Sequence, residues 1–194
     1  MNGLMMNMQL SIASIVEHAE RINGDVEIVS VMGDQPRHRY TYREAFARTR
    51  KLSDGMALWG LEQGDRIATL AWNDYRHFEI YYAAACSGYV CHTINPRLFP
   101  EQLAYIINHA EDRYVCIDPD FVSLAESLAD QCPTVQAWVI MTSAEAMPET
   151  SLPNVMCYET LVAAGNEGFQ WPALDENAAC ALCCASAISA RSRC

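Results

Sequence analysis

Gly60 to Pro119 reads GLEQGDRIATLAWNDYRHFEIYYAAACSGYVCHTINPRLFPEQLAYIINHAEDRYVCIDP. Short apolar runs alternate in it with segments of helical period. Arg66 to Ala71 is the first run, after a Gly-Leu-Glu-Gln-Gly-Asp turn. Phe78, Tyr81, Tyr82 and Ala85 then recur at the i, i+3, i+4, i+7 spacing of one helix face. Gly88 supplies the left-handed residue on which such a helix ends. Tyr89 to Thr93 is the second run. Pro100 and Glu101 open another helix: proline there loses no hydrogen bond, and glutamate complements the positive end of the helix dipole. Leu103, Ile106, Ile107 and Ala110 give that helix its apolar stripe, and Tyr114 to Asp118 is the third run. Strand, helix, strand, helix, strand implies parallel strands joined by right-handed crossovers. The expected fold is α/β, a partial doubly wound, mostly parallel sheet with flanking helices.

The flanks read more simply. Ser11 to Arg21 has helical spacing in Ile12, Ile15, Val16 and Ala19. Val26 to Val31 and Arg37 to Tyr40 are strands about a Gly-Asp turn, which makes a hairpin. Thr41-Tyr42-Arg43-Glu44 is a capping box, in which hydroxyl and carboxylate each satisfy an orphan amide. The helix behind it places Ala45, Thr49, Leu52, Met56 and Trp59 on one face, and Gly60 caps it. Downstream, Phe121, Leu124, Ala125 and Leu128 mark a helix, and Ala137 to Met141 a buried strand. Residues 142–154, with Pro148 and Pro153, form a surface loop. Tyr158 to Ala164 forms a short helix, residues 165–176 a second loop, and Ala178 to Cys183 an interior strand. Residues 1–8 are a ragged start in which Met5, Met6 or Met8 could initiate.

Composition excludes several function classes. The 194 residues are 51% hydrophobic, enough for a domain with a real core. A net charge of −11 argues against a nucleic-acid binder, which needs a basic face. No apolar run approaches the roughly 18 residues of a membrane span. The nine cysteines are scattered through the expected strands and helices with no signal peptide before them. Reduced, mostly buried thiols in a cytoplasmic protein are expected. Lys51 is the one lysine, in an amphipathic helix and on its surface.

Cys91 to Gln102 reads C-H-T-I-N-P-R-L-F-P-E-Q, and N-H-A-E-D follows at Asn108 to Asp112. Together they resemble the acyl-CoA synthetases of the adenylate-forming superfamily, most closely the branch of fatty-acid–CoA and methylthiopropionate–CoA ligases. The resemblance runs from about Gln9 to Cys183, roughly the first third of the family's chain. It implies that residues 9–183 are the amino-terminal part of an AMP-binding domain. It implies for the intact family an activity that joins a fatty or other carboxylic acid to coenzyme A, with ATP and Mg²⁺.

In the family a strand like Asn177 to Cys183 feeds a loop Y-T-S-G-T-T-G-x-P-K-G. Such a loop lets backbone amides approach phosphates while a lysine adds charge. Here residues 184–194 have neither glycine nor lysine, and Ser186 alone falls on a serine of the pattern. The tail is expected to be aberrant, as after a frameshift or premature stop. No catalytic, cofactor-binding or metal residue of the family can then be assigned. The chain is expected to be an inactive ligase fragment that retains no cofactor. The alternatives are a non-catalytic interaction module, self-associating through exposed sheet surface, or an inert pseudogene product.

Other constellations read as structural. Cys180-x-x-Cys183-Cys184 has zinc-like spacing, but its first pair lies in an expected strand without a turn to bring the thiols together. Asn73-Asp74-Tyr75-Arg76-His77 follows a strand, where ligands bind in open α/β sheets, yet Asn73 or Asp74 would serve as a helix cap. His92, Asn95, Pro96 and Arg97 also follow a strand, and Arg97 is expected to pair with Glu101 or Asp112. His18, His38, His77, His92 and His109 lack metal-ligand spacing.

Overall fold

The computed structural model describes residues 3–4, 6–32 and 36–184. Helix α1 (Ile12–Asn23) is capped by Ser11, whose hydroxyl oxygen accepts from the Ser14 amide. Strands β1 (Glu27–Ser30) and β2 (His38–Thr41) follow, paired antiparallel with Glu27 opposite Thr41, the expected hairpin. Helix α2 (Tyr42–Met56) starts on the complete capping box of Thr41 and Glu44. Its chain tightens into a 3₁₀ turn over Ala57–Trp59, and Gly60 leaves it at a φ of 69°, a left-handed position that glycine occupies without strain. Then come β3 (Arg66–Leu70), α3 (Tyr75–Ser87), β4 (Val90–Thr93), α4 (Pro100–Ala110), β5 (Tyr114–Ile117), α5 (Val122–Leu128), β6 (Ala137–Ile140), β7 (Val155–Cys157), α6 (Tyr158–Ala164) and β8 (Ala181–Cys183).

Six strands form one sheet in the order β7-β6-β5-β3-β4-β8, and every pair in it is parallel. The chain runs from β3 to β4 on one side, then returns past β3 to lay β5, β6 and β7 on the other. The reversal lies between β3 and β5. Parallel strands covered on both faces are apolar throughout rather than alternating. Ile67, Cys91, Tyr114, Cys116 and Val139 pack beneath α2, α3 and α6 with Leu52, Met56, Ile80, Ala83, Tyr158 and Val162. Ala68, Leu70, Val115, Ile117, Trp138 and Ile140 pack on the other face against Leu103, Ile106, Ile107, Ala125 and Leu128 of α4 and α5.

Three expectations need correction. Phe78 and Tyr82 of the α3 stripe face an outer layer with Val16 and Phe46, while Ile80, Ala83 and Ala84 face the sheet. The helix is buried on two sides, so one stripe describes only half of its packing. Ala178 to Cys183 was expected as an interior strand. Only Ala181–Cys183 is a strand, with Ala181 and Leu182 half-buried and Cys183 exposed, and it lies at the sheet edge because among the described residues β4 is its one neighbour. Ile15, expected on the core face of α1, is 59% exposed.

Candidate functional site

The carboxyl ends of β3 and β5 meet where the strand order reverses, the place at which open α/β sheets receive ligands. Trp72 leaves β3 there. Its amide donates to Asp118 Oδ2 at 3.3 Å and its indole Nε1 to Asp120 Oδ2 at 2.9 Å. Its ring leans on Phe121 at a centroid distance of 4.9 Å, and the Arg97 guanidinium lies 6.0 Å over it. Trp72 is nonetheless 43% exposed. Burial pushes the Asp118 carboxyl up to about 6, with Asp74 and Asp120 adding repulsion against the Trp72 amide. This rim offers an aromatic face, one cation and the carboxylates of Asp118 and Asp120. Arg97 therefore does not take the expected partners Glu101 or Asp112. It leaves the carboxyl end of β4, whereas Asp112 enters β5 at its amino end.

Asp112 pairs with His92 instead. His92 Nδ1 lies 2.8 Å from Asp112 Oδ2, and both residues are fully buried. Burial raises the Asp112 carboxyl, opposed by His92 and Arg66. His92 Nε2 lies 3.3 Å from Cys184 Sγ. The pair ties β4 to the turn between α4 and β5.

Of residues 73–77, Asp74 is the cap of α3, its Oδ1 accepting from the His77 amide at 2.9 Å. His77 Nε2 lies 3.0 Å from Thr69 Oγ1, and burial lowers its pKa. Tyr75 and Arg76 turn inward to a network that the sequence did not reveal. Arg48 Nε donates to Glu79 Oε1 at 2.8 Å and its Nη2 to Glu159 Oε2 at 2.9 Å. Arg76 Nε and the Tyr75 hydroxyl donate to Glu159 Oε1 at 2.8 and 3.1 Å. The Tyr158 hydroxyl donates to Glu79 Oε2 at 2.6 Å. Burial raises Glu79 against Arg48 and Tyr158. Burial also opposes ionisation of Glu159, but Arg48 and Arg76 outweigh it and its pKa is lowered. With two arginines, two glutamates and every carboxylate oxygen engaged, the network fastens α2, α3 and α6 together. Its one sequence signal is Glu79 standing between Phe78 and Ile80.

Cys86, Cys91, Cys116 and Cys132 are buried free thiols, Cys157 and Cys180 half-buried, and Cys183 exposed. Burial holds Cys86 and Cys91 up at about 12, so both are inert. Among the described residues no three His, Cys, Asp or Glu side chains are disposed to hold a metal ion. None of their helices is long and apolar enough to cross a membrane. Lys51 lies 3.5 Å from Glu167 on the outer side of α2. Ser186 and the rest of residues 185–194 lie outside the described residues.

A family model described as AMP-binding enzyme matches residues 16–181. The 3-methylmercaptopropionyl-CoA ligase of Ruegeria lacuscaerulensis is 45% identical over 183 residues, which cover 94% of this chain and 34% of that protein. The medium-chain-fatty-acid–CoA ligase of Ectopseudomonas oleovorans is 44% identical with the same coverage. Among solved structures, an anthranilate CoA ligase, AuaEII, in complex with anthranoyl-AMP superposes with a TM-score of 0.83 at 13% identity. The superposition covers 96% of this chain and 34% of that one, and it speaks to the fold. The chain thus spans about a third of the length of the curated relatives it matches.

Proposed function

This chain belongs to the AMP-binding enzyme family, and we propose that it is the amino-terminal third of an ATP-dependent acid–CoA ligase, supplying scaffold rather than chemistry. The observation that carries this reading is the match of nearly the whole chain to one third of ligases about 45% identical to it. The intact enzyme would activate a carboxylic acid, a medium-chain fatty acid or 3-methylmercaptopropionate by its relatives' names, at the α-phosphorus of ATP. It would release pyrophosphate and then pass the acyl group to the coenzyme A thiol. Residues 9–183 would be the domain part, with 1–8 and 184–194 outside it. The cytoplasmic setting expected from the cysteine-rich, mostly buried strands and helices belongs to this proposal.

Carboxylate attack on a phosphoryl centre needs positive charge placed where negative charge accumulates. In the intact family ATP-bound Mg²⁺ and lysines supply it. Here Lys51 is engaged by Glu167, Arg48 is committed to Glu79 and Glu159, and Arg76 to Glu159. Residues 169–194 hold no glycine to bring backbone amides to a phosphate. The polypeptide alone is therefore catalytically silent in this proposal. The test is acid-dependent ATP–pyrophosphate exchange by the pure protein with octanoate and with 3-methylmercaptopropionate. We expect none alone. We expect exchange to return on mixing with the separately produced remainder of the Ruegeria enzyme. Clear exchange by the chain alone overturns the silence.

Among the described residues β8 has no neighbour beyond β4, which favours a second reading, a non-catalytic module that associates through its sheet. Light scattering on a sizing column decides: a dimer or larger species supports association, and a clean monomer removes it.

A further inference from the structure

We propose that His38 is a proton-operated latch, which holds the β1–β2 hairpin on the body of the protein while neutral and releases it when protonated.

The hairpin contributes little to the core of its own. Val29 and Val31 point outward, 44% and 63% exposed. Its hold on the helical layer runs through Tyr40, Ile28 and Met32, which pack with Ala45, Tyr75 and Phe78. At the centre of that contact lies the His38 ring. It stacks on Tyr75 at 3.7 Å with planes 12° apart, and Tyr40 meets it edge-on at 4.7 Å. Its Nε2 is buried without a hydrogen-bond partner.

The Tyr75 ring already serves two cations. The guanidinium of Arg76 lies 4.7 Å from its centroid and that of Arg48 5.7 Å. A protonated His38 would be a third positive charge around one ring. In the protonated ring Nε2 carries an N–H, a buried donor with no acceptor, which is an unfavourable state. The carboxylates around it are committed. From α6, Glu159 accepts from Arg48, Arg76 and Tyr75. From α3, Glu79 accepts from Arg48 and Tyr158, and Asp74 caps the His77 amide. From α2, Glu44 is held in the capping box with Thr41.

The imidazole's affinity for a proton follows. Burial lowers its pKa below 6.5, Arg48 and Arg76 lower it further, and Glu159 and Asp74 do not restore it. A histidine with its pKa lowered by folding favours the folded state in its neutral form. The latch is therefore fully closed above the unfolded-chain value of about 6.5. It weakens as the pH falls below that value, by up to tenfold in the closing equilibrium for each unit of depression.

Hydrogen exchange tests this, corrected for the intrinsic pH dependence of amide exchange. Between about pH 7.5 and about pH 5 the amides of β1 and β2 should lose protection several-fold to tenfold, while those of β3 and β5 keep theirs. His38→Phe keeps a stacking ring that takes no proton, and its hairpin should show pH-independent protection. Equal protection of the native hairpin at both pH values overturns the latch, as does an acid loss that persists in His38→Phe. Should that variant not fold, NMR titration of the His38 ring in the native chain decides, since a pKa at or above 6.5 refutes the latch.

Discussion

Replacing Arg48 by methionine isolates the energetics of the buried network. Methionine keeps most of the aliphatic bulk of the arginine stem and removes two charge-assisted hydrogen bonds, to Glu79 at 2.8 Å and Glu159 at 2.9 Å. The two carboxylates then fare differently. Glu159 keeps Arg76 and Tyr75, and its side chain is 23% exposed. Glu79, with no exposure, keeps only the Tyr158 hydroxyl. Removing one member of a buried ion pair costs about 3–5 kcal/mol, mostly because the other charge stays behind. Arg48 is itself 28% exposed and gives up less by burial, which places the expected loss near the lower end, about 3 kcal/mol. Glu79→Leu in the same chain removes the stranded charge. The double variant should recover at least about 1 kcal/mol relative to the sum of the two single losses. Urea unfolding at neutral pH, followed by tryptophan fluorescence and far-UV dichroism, measures all four corners of the cycle. A loss below about 1 kcal/mol for Arg48→Met, or strict additivity in the double variant, would refute the assignment of this network as the fastening of α2 to α3 and α6.

Two further outcomes follow from local geometry. A methyl group on Gly165 would sit 2.0 Å from the Lys51 carbonyl oxygen, a main-chain atom that cannot swing away. Gly165→Ala should cost about 1–3 kcal/mol by overpacking, and an unchanged melting temperature would contradict the close approach of α6 to α2. The Asp118 carboxyl should titrate at about 6 in a carbon-detected NMR experiment. Because folding raises its pKa, its contribution to stability is present below about 3.9, its unfolded-chain value, and is lost as the pH rises through about 6. Asp118→Asn should accordingly raise the melting midpoint slightly at neutral pH. An NMR midpoint near 4 would show that the carboxyl is well hydrated.

What could be read in advance was local in the chain. The Thr41–Glu44 box, Gly60, Gly88 and Pro100 each act within one turn of a helix end, and the structure has them there. The runs that became β3, β4, β5 and β6 are apolar because both faces of the sheet are covered. What stayed hidden depends on partners far away. Strand β7 has three half-buried residues and becomes a strand by pairing with β6. Arg48 finds Glu79 across 31 positions and Glu159 across 111. Trp72 meets Asp118 across 46, and nothing in its neighbourhood announces the carboxylate. The family resemblance pointed to the fold and to the ligase lineage but assigned no site residue. The structure adds a rim and two buried polar clusters.

The placement of β8 also sets an order of assembly. Cys91 pairs with Ala181, 90 positions further on, while Ile67 meets Cys91 after 24 and Tyr114 after 47. Pairing Cys91 with Ala181 before the intervening strands have formed would close a flexible loop of that greater length, at on the order of 4 kcal/mol in chain entropy. A three-residue strand with two half-buried side chains and one exposed returns little against it. The centre of the sheet, β3 with β4 and β5, can form from short crossovers and waits for nothing. Among the described residues β8 joins a sheet whose other five strands are already paired, and it is the first to leave when that sheet comes apart.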